Sequence, residues 1–282
     1  MALLEGRKAV ITGAAQGLGL SIARCFVAEG ARVAMADIQG GKLQAACARV
    51  SSDGRAFPLK VDTTSVESVR AMVAEAAQKL GGIDILVNVA GGSGTEIIEG
   101  IEDLEDALWR RVIEGNLYGT FNCCKAAAPF LRKSSHGRVI NFSSSSLRGV
   151  KGKSSVAARH AYAAAKAGIH GFSNQLACDL GEAGVAVAVI LPAFILTEPG
   201  ARVHEVFYGL TEAERATMLS RLPEPPRQPD DIGWAVTFLA SDHGAGLAGT
   251  VVRLKGPIPG PKLKLVQEAM TPLGALARVE AA

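Results

Sequence analysis

Short apolar runs rich in β-branched residues alternate with helical patterns along most of the chain, and this alternation restricts the fold more than any other feature. It predicts strands at residues 8–12, 32–36, 56–61, 83–88, 138–142, 185–191 and 250–254. Strands that are separated by helices pair in parallel, and a parallel sheet needs helices over both faces. We therefore expect an α/β fold: a single Rossmann-type doubly wound domain whose seven-stranded parallel sheet is flanked by helices on both faces.

No long linker or internal repeat interrupts the alternation, which predicts one domain over residues 1–256. Residues 193–228 form a less regular insertion within it, and a Pro-rich tail follows at 257–282. The chain has 282 residues, of which 48% are hydrophobic, enough for a substantial core. After the third strand, Thr64-Ser-Val-Glu67 fits a capping box and predicts that a helix starts there.

Charge and cysteine content argue against several functions. A net charge of +3 with 20% charged residues gives no case for a nucleic-acid or membrane-surface partner. The five cysteines lack a C-x-x-C spacing, so we expect reduced core residues and no disulfide framework or metal site. The N-terminus has no signal-peptide pattern, and no apolar run reaches about 18 residues. We expect a cytoplasmic protein that acts on small molecules.

The first predicted strand ends in T-G-x-x-x-G-x-G at residues 12–19, directly before a predicted helix. Because glycine has no Cβ, Gly13, Gly17 and Gly19 let the backbone approach a phosphate, and a helix N-terminus offers N–H groups and positive potential. Asp37 ends the second strand, where an acid holds ribose hydroxyls in dinucleotide-binding folds and would repel a 2′-phosphate. These residues predict an NAD(H) site. The alternative is a tight turn without a ligand and a solvated Asp37.

Tyr162 and Lys166 are four residues apart at the start of an alanine-rich helical pattern, so both side chains lie on one helix face. A free tyrosine has a pKa of about 10, and a fixed positive neighbour lowers it towards neutral pH. The pair is a candidate acid/base. Taken alone, the same spacing also fits a tyrosine and a lysine on the surface of any helix.

With further motifs, the chain resembles the short-chain dehydrogenase/reductase family from residue 6 to about residue 256. The motifs are the glycine pattern at 12–19, Asp62 after the third strand, Asn88-Val-Ala-Gly91, Asn116, the serines at 143–146, Tyr162-x-x-x-Lys166, and Pro192 with Thr197. Their order and spacing along the chain follow the family pattern.

The resemblance assigns residues to a cofactor, which Asp37 predicts to be NAD. The implied cofactor contacts are Gly13, Gln16, Gly17, Leu18, Gly19, Asp37, Asp62, Thr63, Asn88, Tyr162, Lys166, Pro192, Ile195 and Thr197. Asp62 would bind the adenine amino group and Thr197 the nicotinamide carboxamide. One doubt attaches to Asn88, because Val89 separates it from Ala90-Gly91 where the family has Asn-Ala-Gly.

The resemblance also implies four catalytic residues. Tyr162 would be the general acid/base, and Lys166 would bind the nicotinamide ribose and lower the pKa of the tyrosine. Asn116 would position a water in a proton relay. Alignment of residues 137–144 with the family pattern of strand five selects Ser144 among the four serines, and its hydroxyl would polarise the substrate oxygen.

Two segments depart from the family pattern. The loop at 147–160 is longer than expected and contains three arginines or lysines before Arg159 and no acid. Its charge could attract a carboxylate or phosphate on the substrate, or it could be a solvated loop or a subunit contact. The tail at 257–282 could reach a partner subunit, but we favour a position on the surface.

These observations predict an NAD(H)-dependent oxidoreductase that interconverts a secondary alcohol and a ketone. Two alternatives remain, an NADPH-dependent carbonyl or 3-oxoacyl reductase and a non-catalytic NAD(H)-binding regulatory protein. The insertion at 193–228 should cover the substrate, and its apolar residues suit a hydrophobic alcohol. By resemblance we also expect a homo-oligomer, a tetramer or a dimer.

Overall fold

Seven parallel strands form the centre of the molecule in the order β3-β2-β1-β4-β5-β6-β7, which confirms the predicted sheet. The computed structural model describes residues 2–94, 98, 100–149, 156–222, 225–253 and 271–272. The strands are β1 Lys8–Thr12, β2 Arg32–Asp37, β3 Ala56–Lys60, β4 Ile85–Asn88, β5 Arg138–Phe142, β6 Ala186–Leu191 and β7 Thr250–Arg253. A two-residue strand, β8 Thr271–Pro272, adds to β7 in the antiparallel direction.

Helices cover both faces of the sheet, as predicted. They are α1 Gly17–Ala28, α2 Gly40–Val50, α3 Val66–Leu80, α4 Asp106–Ile113, α5 Gly119–Leu131, α6 Arg159–Gly181, α7 Arg202–Tyr208, α8 Glu212–Ser220 and α9 Pro229–Ala240. Side chains alternate along each strand, so Ala9 and Ile11 pack in the core under α1, α2 and α9, whereas Val10 packs in the core under α3, α5 and α6. Both cores consist of buried, mainly aliphatic side chains.

The start of α3 corrects the predicted capping box by one residue. The N-cap is Ser65, whose side chain accepts a hydrogen bond from Ser68 N at 3.2 Å. Thr64 Oγ1 instead donates to Asp62 Oδ1 at 2.7 Å. The neighbouring carboxylate holds the threonine hydroxyl, so the next hydroxyl along the chain caps the helix.

The insertion at 193–228 contains α7 and α8, and its two ends pair with each other. Leu196 N donates to Arg227 O at 3.0 Å and Arg227 N donates to Phe194 O at 3.1 Å. Residues 193–228 are called the lid below. The predicted tail at 257–282 lies outside the described residues except for β8, as do Lys151 and Lys153 of the basic loop.

Four of the five cysteines are buried, in agreement with their predicted place in the core, but Cys178 is exposed on α6. Its position in the helix turns it outwards, so the prediction is wrong for this residue. No helix in the described part of the chain is long and apolar enough to cross a membrane.

The turns after β1 and β4 meet where the strand order reverses, and this contact prepares the site. Thr12 Oγ1 accepts hydrogen bonds from Val89 N and Ala90 N, both at 3.2 Å. A Cβ on Gly13 would lie 2.9 Å from Ala90 N. In doubly wound sheets, ligands bind in the crevice at such a reversal, beyond the carboxyl ends of the strands.

Gly19 should resist substitution because an added Cβ would collide with the backbone carbonyl of Gly13 and lie 2.9 Å from the α-carbon of Ala14. We expect Gly19→Ala to lower the free energy of unfolding by about 1–3 kcal/mol, since backbone cannot move aside as a side chain would. The matched control is Gly41→Ala in α2, where an added Cβ meets nothing within 4 Å. Thermal unfolding of both variants tests this, and equal melting temperatures would contradict it.

Candidate active site

A cavity of about 1400 Å³ opens at the carboxyl ends of the parallel strands. Most of the predicted site residues line it: Gly13, Gln16, Gly17, Leu18, Asp37, Asp62, Thr63, Asn116, Ser144, Tyr162, Lys166, Pro192, Ile195 and Thr197. Gly19 lies in the first turn of α1, packed against Gly13. Asn88 is buried at the end of β4, where its Nδ2 donates to Asn141 Oδ1 at 2.8 Å. These two residues shape the fold beneath the cavity.

Tyr162 and Lys166 lie one turn apart in α6, as their spacing predicts. Lys166 Nζ is 5.5 Å from the centroid of the Tyr162 ring and donates to Phe142 O, at the end of β5, at 2.8 Å. The ammonium is buried, and this carbonyl holds it at the junction of helix and sheet.

The structure separates the roles of the neighbouring serines. Ser143 is buried, donates to Lys166 O at 2.9 Å and lies 2.7 Å from His170 Nε2, so it joins β5 to α6. Ser144 lines the cavity with Tyr162, and its hydroxyl acts to lower the pKa of that tyrosine. Its Oγ also accepts from Ser146 N at 3.2 Å and from Ser146 Oγ at 2.9 Å, which orients its own proton away from that turn. Ser144 and Tyr162 therefore each present a hydroxyl to the same cavity.

The sequence predicted that the charge of Lys166 lowers the pKa of Tyr162, but in the structure other groups shift this pKa. Burial raises the pKa of Tyr162, while the positive charge of Arg202 and the hydrogen bond from Ser144 act in the opposite direction. Burial lowers the pKa of Lys166 to about 7. At neutral pH, Lys166 thus carries only part of its positive charge, and the groups that favour the phenolate are Arg202 and Ser144.

Asn116 lies in a π-helical turn, Glu114–Tyr118, that joins α4 to α5 without a break. Its Nδ2 donates to Gly92 O and Val112 O, both at 2.8 Å, and its Oδ1 accepts from Gly92 N at 3.1 Å. A Cβ on Gly91 would clash with this amide. The side chain thus clamps the turn after β4 to the helix and forms one wall of the cavity. Such π-helical turns often occur at functional sites.

The N-terminus of α1 holds an anion from the lid. Gln16 provides no side-chain cap, and Gly17 N instead donates to Glu198 Oε1 at 2.7 Å. Lys42 connects the same two segments, because its Nζ donates to Gln16 Oε1 and, at 2.8 Å, to Gly200 O. The helix end that follows the glycine-rich turn therefore binds a carboxylate, as the dipole of a helix favours.

Two carboxylates line the cavity near the carboxyl ends of β2 and β3. Asp37 is buried and accepts from Ala15 N at 3.0 Å and Gln39 N at 2.9 Å, which fixes it next to the glycine-rich turn. Asp62 accepts from Thr64 N at 2.9 Å through the same oxygen that receives the Thr64 hydroxyl. Backbone N–H groups therefore hold both carboxylates in place, through two oxygens of Asp37 and one of Asp62.

Sequence reasoning missed Glu198 and Arg202, which reach the site from the lid. Arg202 lines the cavity, and its Nη1 donates to Gly94 O at 3.2 Å. Neither residue belongs to a motif; the only available signal was its place shortly after Thr197. Among the described residues, no group of three or more His, Cys, Asp or Glu side chains could hold a metal ion.

The chain belongs to the short-chain dehydrogenase family, whose model matches residues 7–205. Its site accordingly belongs to an oxidoreductase class. The expected resemblance to this family is confirmed.

Several characterised relatives are similar over nearly their whole length. The short-chain reductase protein NovJ of Streptomyces niveus is 33% identical over 265 residues, covering 92% of this chain and 96% of the relative. The 3-oxoacyl-(acyl-carrier-protein) reductase FabG of Escherichia coli is 34% identical over 254 residues, covering 89% and 97%. BbsD of Thauera aromatica, a subunit of a hydroxy(phenyl)methylsuccinyl-CoA dehydrogenase, is 33% identical over 255 residues, covering 90% and 96%.

The fold is also found in the crystal structure of gox2181. That structure matches with a TM-score of 0.79 at 28% identity, covering 89% of this chain and 95% of the other.

The buried ammonium of Lys166 should make stability depend on pH. The unfolded chain keeps this proton up to a pKa of 10.5, whereas the folded protein releases it at about 7, so the unfolded state binds more protons in between. Stability from this group therefore rises with pH, by about 1 kcal/mol per pH unit between pH 7 and pH 10.

Lys166→Met should remove that rise. We expect the difference in the free energy of unfolding between pH 7 and pH 9 to fall by about 2 kcal/mol relative to the unchanged protein. Denaturant unfolding at both pH values measures it, with exposed Lys133→Met as the control. Parallel pH dependences for Lys166→Met and the unchanged protein would show that the ammonium is not destabilised by burial.

Proposed function

We propose that the protein is an NAD(H)-dependent oxidoreductase that interconverts a secondary alcohol and a ketone. The observation that supports this best is the pair of hydroxyls from Ser144 and Tyr162 inside the cavity, backed by the buried Lys166. A module that only binds a nucleotide has no physical need for two convergent hydroxyls beside a lysine, so the non-catalytic alternative is disfavoured.

The residues fit a dinucleotide. Gly13 leaves no side chain between the two turns, Gly17 N already binds a carboxylate, and Asp37 lies at the end of β2 next to this turn. We infer that Gly13, Gly17 and Asp37 hold the adenosine and phosphate parts, and that Thr197 and Lys166 lie at the nicotinamide end. When bound, the nicotinamide ring supplies or accepts a hydride.

Ser144 and Tyr162 position and polarise the substrate oxygen. In reduction, both hydroxyls donate hydrogen bonds to the ketone oxygen, and Tyr162 transfers its proton as negative charge develops there. In oxidation, the phenolate of Tyr162 accepts the alcohol proton. Burial raises the pKa of Tyr162 despite the opposing charge of Arg202, and this favours the protonated hydroxyl and its role as acid.

We infer a preference for NAD(H) over NADP(H) from Asp37. Its carboxylate is fixed by Ala15 N and Gln39 N and lines the cavity, so a 2′-phosphate nearby would meet an immobile negative charge. The runner-up function is reduction of a 3-oxoacyl substrate, which is favoured by the likeness to FabG.

A homo-oligomer is part of the proposal. Trp109 in α4, Tyr118 in the π-helical turn and Phe121 in α5 have 39%, 56% and 39% of their surface exposed. Three exposed aromatic residues along one continuous helix support an interface with a second copy of the chain.

Removal of the Tyr162 hydroxyl tests the central assignment. We expect Tyr162→Phe to reduce kcat by about a thousandfold with the dissociation constant for NADH nearly unchanged, because only the proton donor is lost. Absorbance at the nicotinamide band measures turnover over a panel of secondary alcohols and ketones, and fluorescence measures binding. Tyr208→Phe, at an exposed tyrosine that does not line the cavity, is the matched control. Retained turnover in Tyr162→Phe would refute the role.

The cofactor preference has its own test. We expect Asp37→Asn to lower the ratio of the NADPH to the NADH dissociation constant by at least about tenfold, because the repulsion of the 2′-phosphate is lost. Fluorescence titration measures both constants, with exposed Glu75→Gln as the control. If the unchanged protein binds NADPH as tightly as NADH, Asp37 does not discriminate.

A further inference from the structure

His170 is a buried titratable side chain of α6 that the proposed chemistry does not use. It follows Tyr162 and Lys166 at the same interval of four residues, so all three lie on one face of the helix. Tyr162 and Lys166 line the cavity from that face. His170 lies one turn beyond Lys166, where it contacts Ser143 at the end of β5 and does not line the cavity.

The hydroxyl of Ser143 determines which nitrogen of His170 carries a hydrogen. Ser143 Oγ has one proton and donates it to Lys166 O at 2.9 Å. Towards His170 Nε2, which is 2.7 Å away, the same oxygen can only accept, so Nε2 is the donor. Burial lowers the pKa of His170, which favours the neutral ring in this tautomer. Two directed hydrogen bonds follow, from imidazole to hydroxyl and from hydroxyl to carbonyl.

These two bonds attach the end of β5 to α6 next to the site. The same strand end is held to β6 through the backbone, because Ser143 N donates to Ile190 O at 2.9 Å. A second side-chain contact with the helix is that of Lys166 Nζ with Phe142 O. Burial lowers the pKa of that ammonium to about 7, so this contact changes its charge near neutral pH. The contact that His170 supports through a hydroxyl does not.

Ser144 follows Ser143 directly, and Tyr162 precedes Lys166 by one turn of α6. The two residues that His170 joins, Ser143 and Lys166, are therefore the neighbours of the two reacting hydroxyls. If the bond between His170 and Ser143 is lost, the end of β5 is released from one of its contacts with α6, and Ser144 shifts relative to Tyr162.

We propose that His170 is a positioning residue for the reaction: by donating to Ser143 Oγ, it fixes the distance between Ser144 at the end of β5 and Tyr162 on α6. This inference rests on the proposed function and adds a residue to it. His170 acts through Ser143, without contact with the reacting atoms. A displacement of about 1 Å between reacting groups can lower a rate by about a hundredfold.

Loss of the imidazole donor tests the proposal. His170→Leu keeps an apolar side chain at this place but cannot donate to Ser143. We expect kcat to fall by about 10- to 100-fold across the panel of secondary alcohols, while the dissociation constant for NADH changes by less than about threefold. His170→Gln, whose side-chain amide can donate in place of Nε2, should restore kcat to within about threefold of the unchanged protein.

A second variant removes the same bond from the other partner. Ser143→Ala should lower kcat as His170→Leu does, and the double variant should fall no further than either single variant, because both remove one interaction. If His170→Leu does not fold, Ser143→Ala decides the outcome. Additive losses in the double variant would overturn the proposal.

The pH profile distinguishes positioning from a loss of stability. Ser144 is one of the groups that lower the pKa of Tyr162, and the phenolate is the base in oxidation. Displacement of Ser144 should therefore raise the pH at which kcat for oxidation reaches half its maximum. A lower kcat in His170→Leu with this pH unchanged would contradict the proposal.

The matched control removes another buried bond between β5 and α6. Ser173 Oγ accepts from Asn141 Nδ2 at 2.9 Å, and Ser173 does not line the cavity. We expect Ser173→Ala to lower the melting temperature but to leave kcat within about threefold of the unchanged protein. Equal losses of kcat in Ser173→Ala and His170→Leu would overturn the proposal, because any weakened contact between strand and helix would then have the same effect.

A structural measurement separates positioning from turnover. Crystal structures of the unchanged protein and of His170→Leu give the distance between Ser144 Oγ and Tyr162 Oη without substrate or cofactor. A change of at least about 0.5 Å supports the positioning role. It does so even if no alcohol is oxidised and NADH does not bind, a result that would refute the proposed function. An unchanged distance overturns the positioning role and leaves the proposed function standing.

Discussion

The register of the central strands is the constraint on which the site depends. Thr12 pairs with Asn88 and Asn88 with Asn141, so β1, β4 and β5 end at one level. The turns that follow these ends supply the glycine-rich turn, the turn held by Asn116, and Ser144. A slip of one residue in any pair would turn each side chain to the opposite face of the sheet. The pairing of the strand backbones therefore determines where Ser144 lies relative to α6.

The burial of Lys166 beside the cavity lowers the stability of the fold. A buried ammonium loses its hydration, and here the hydrogen bond to Phe142 O offsets only part of that loss, as its pKa of about 7 indicates. A core built for stability alone would place an apolar residue at this position. A titratable group in a cleft whose pKa is shifted by burial is characteristic of functional sites.

The sheet and most cavity-lining residues could be predicted from sequence because their signals are local. Apolar runs define strands, and the glycine spacing and the Tyr162–Lys166 spacing each lie within about two helical turns. The cap of α3 could not be assigned, since Thr64 and Ser65 are equally suitable and Asp62 decides between them. Glu198 and Arg202 were missed for a different reason: their partners are 181 and 108 residues away in the chain.

The bond between Glu198 and Gly17 N also links the lid to the N-terminus of α1, which borders the cavity. One N–H cannot serve this carboxylate and a phosphate equally at the same time, so an anion that binds the α1 N-terminus displaces Glu198. Glu198 adjoins Thr197, whose Oγ1 accepts from His204 N in α7. Displacement of Glu198 breaks this link, whereas Lys42 still joins Gln16 of the glycine-rich turn to Gly200 O of the lid, so the lid stays attached to the turn through a cation.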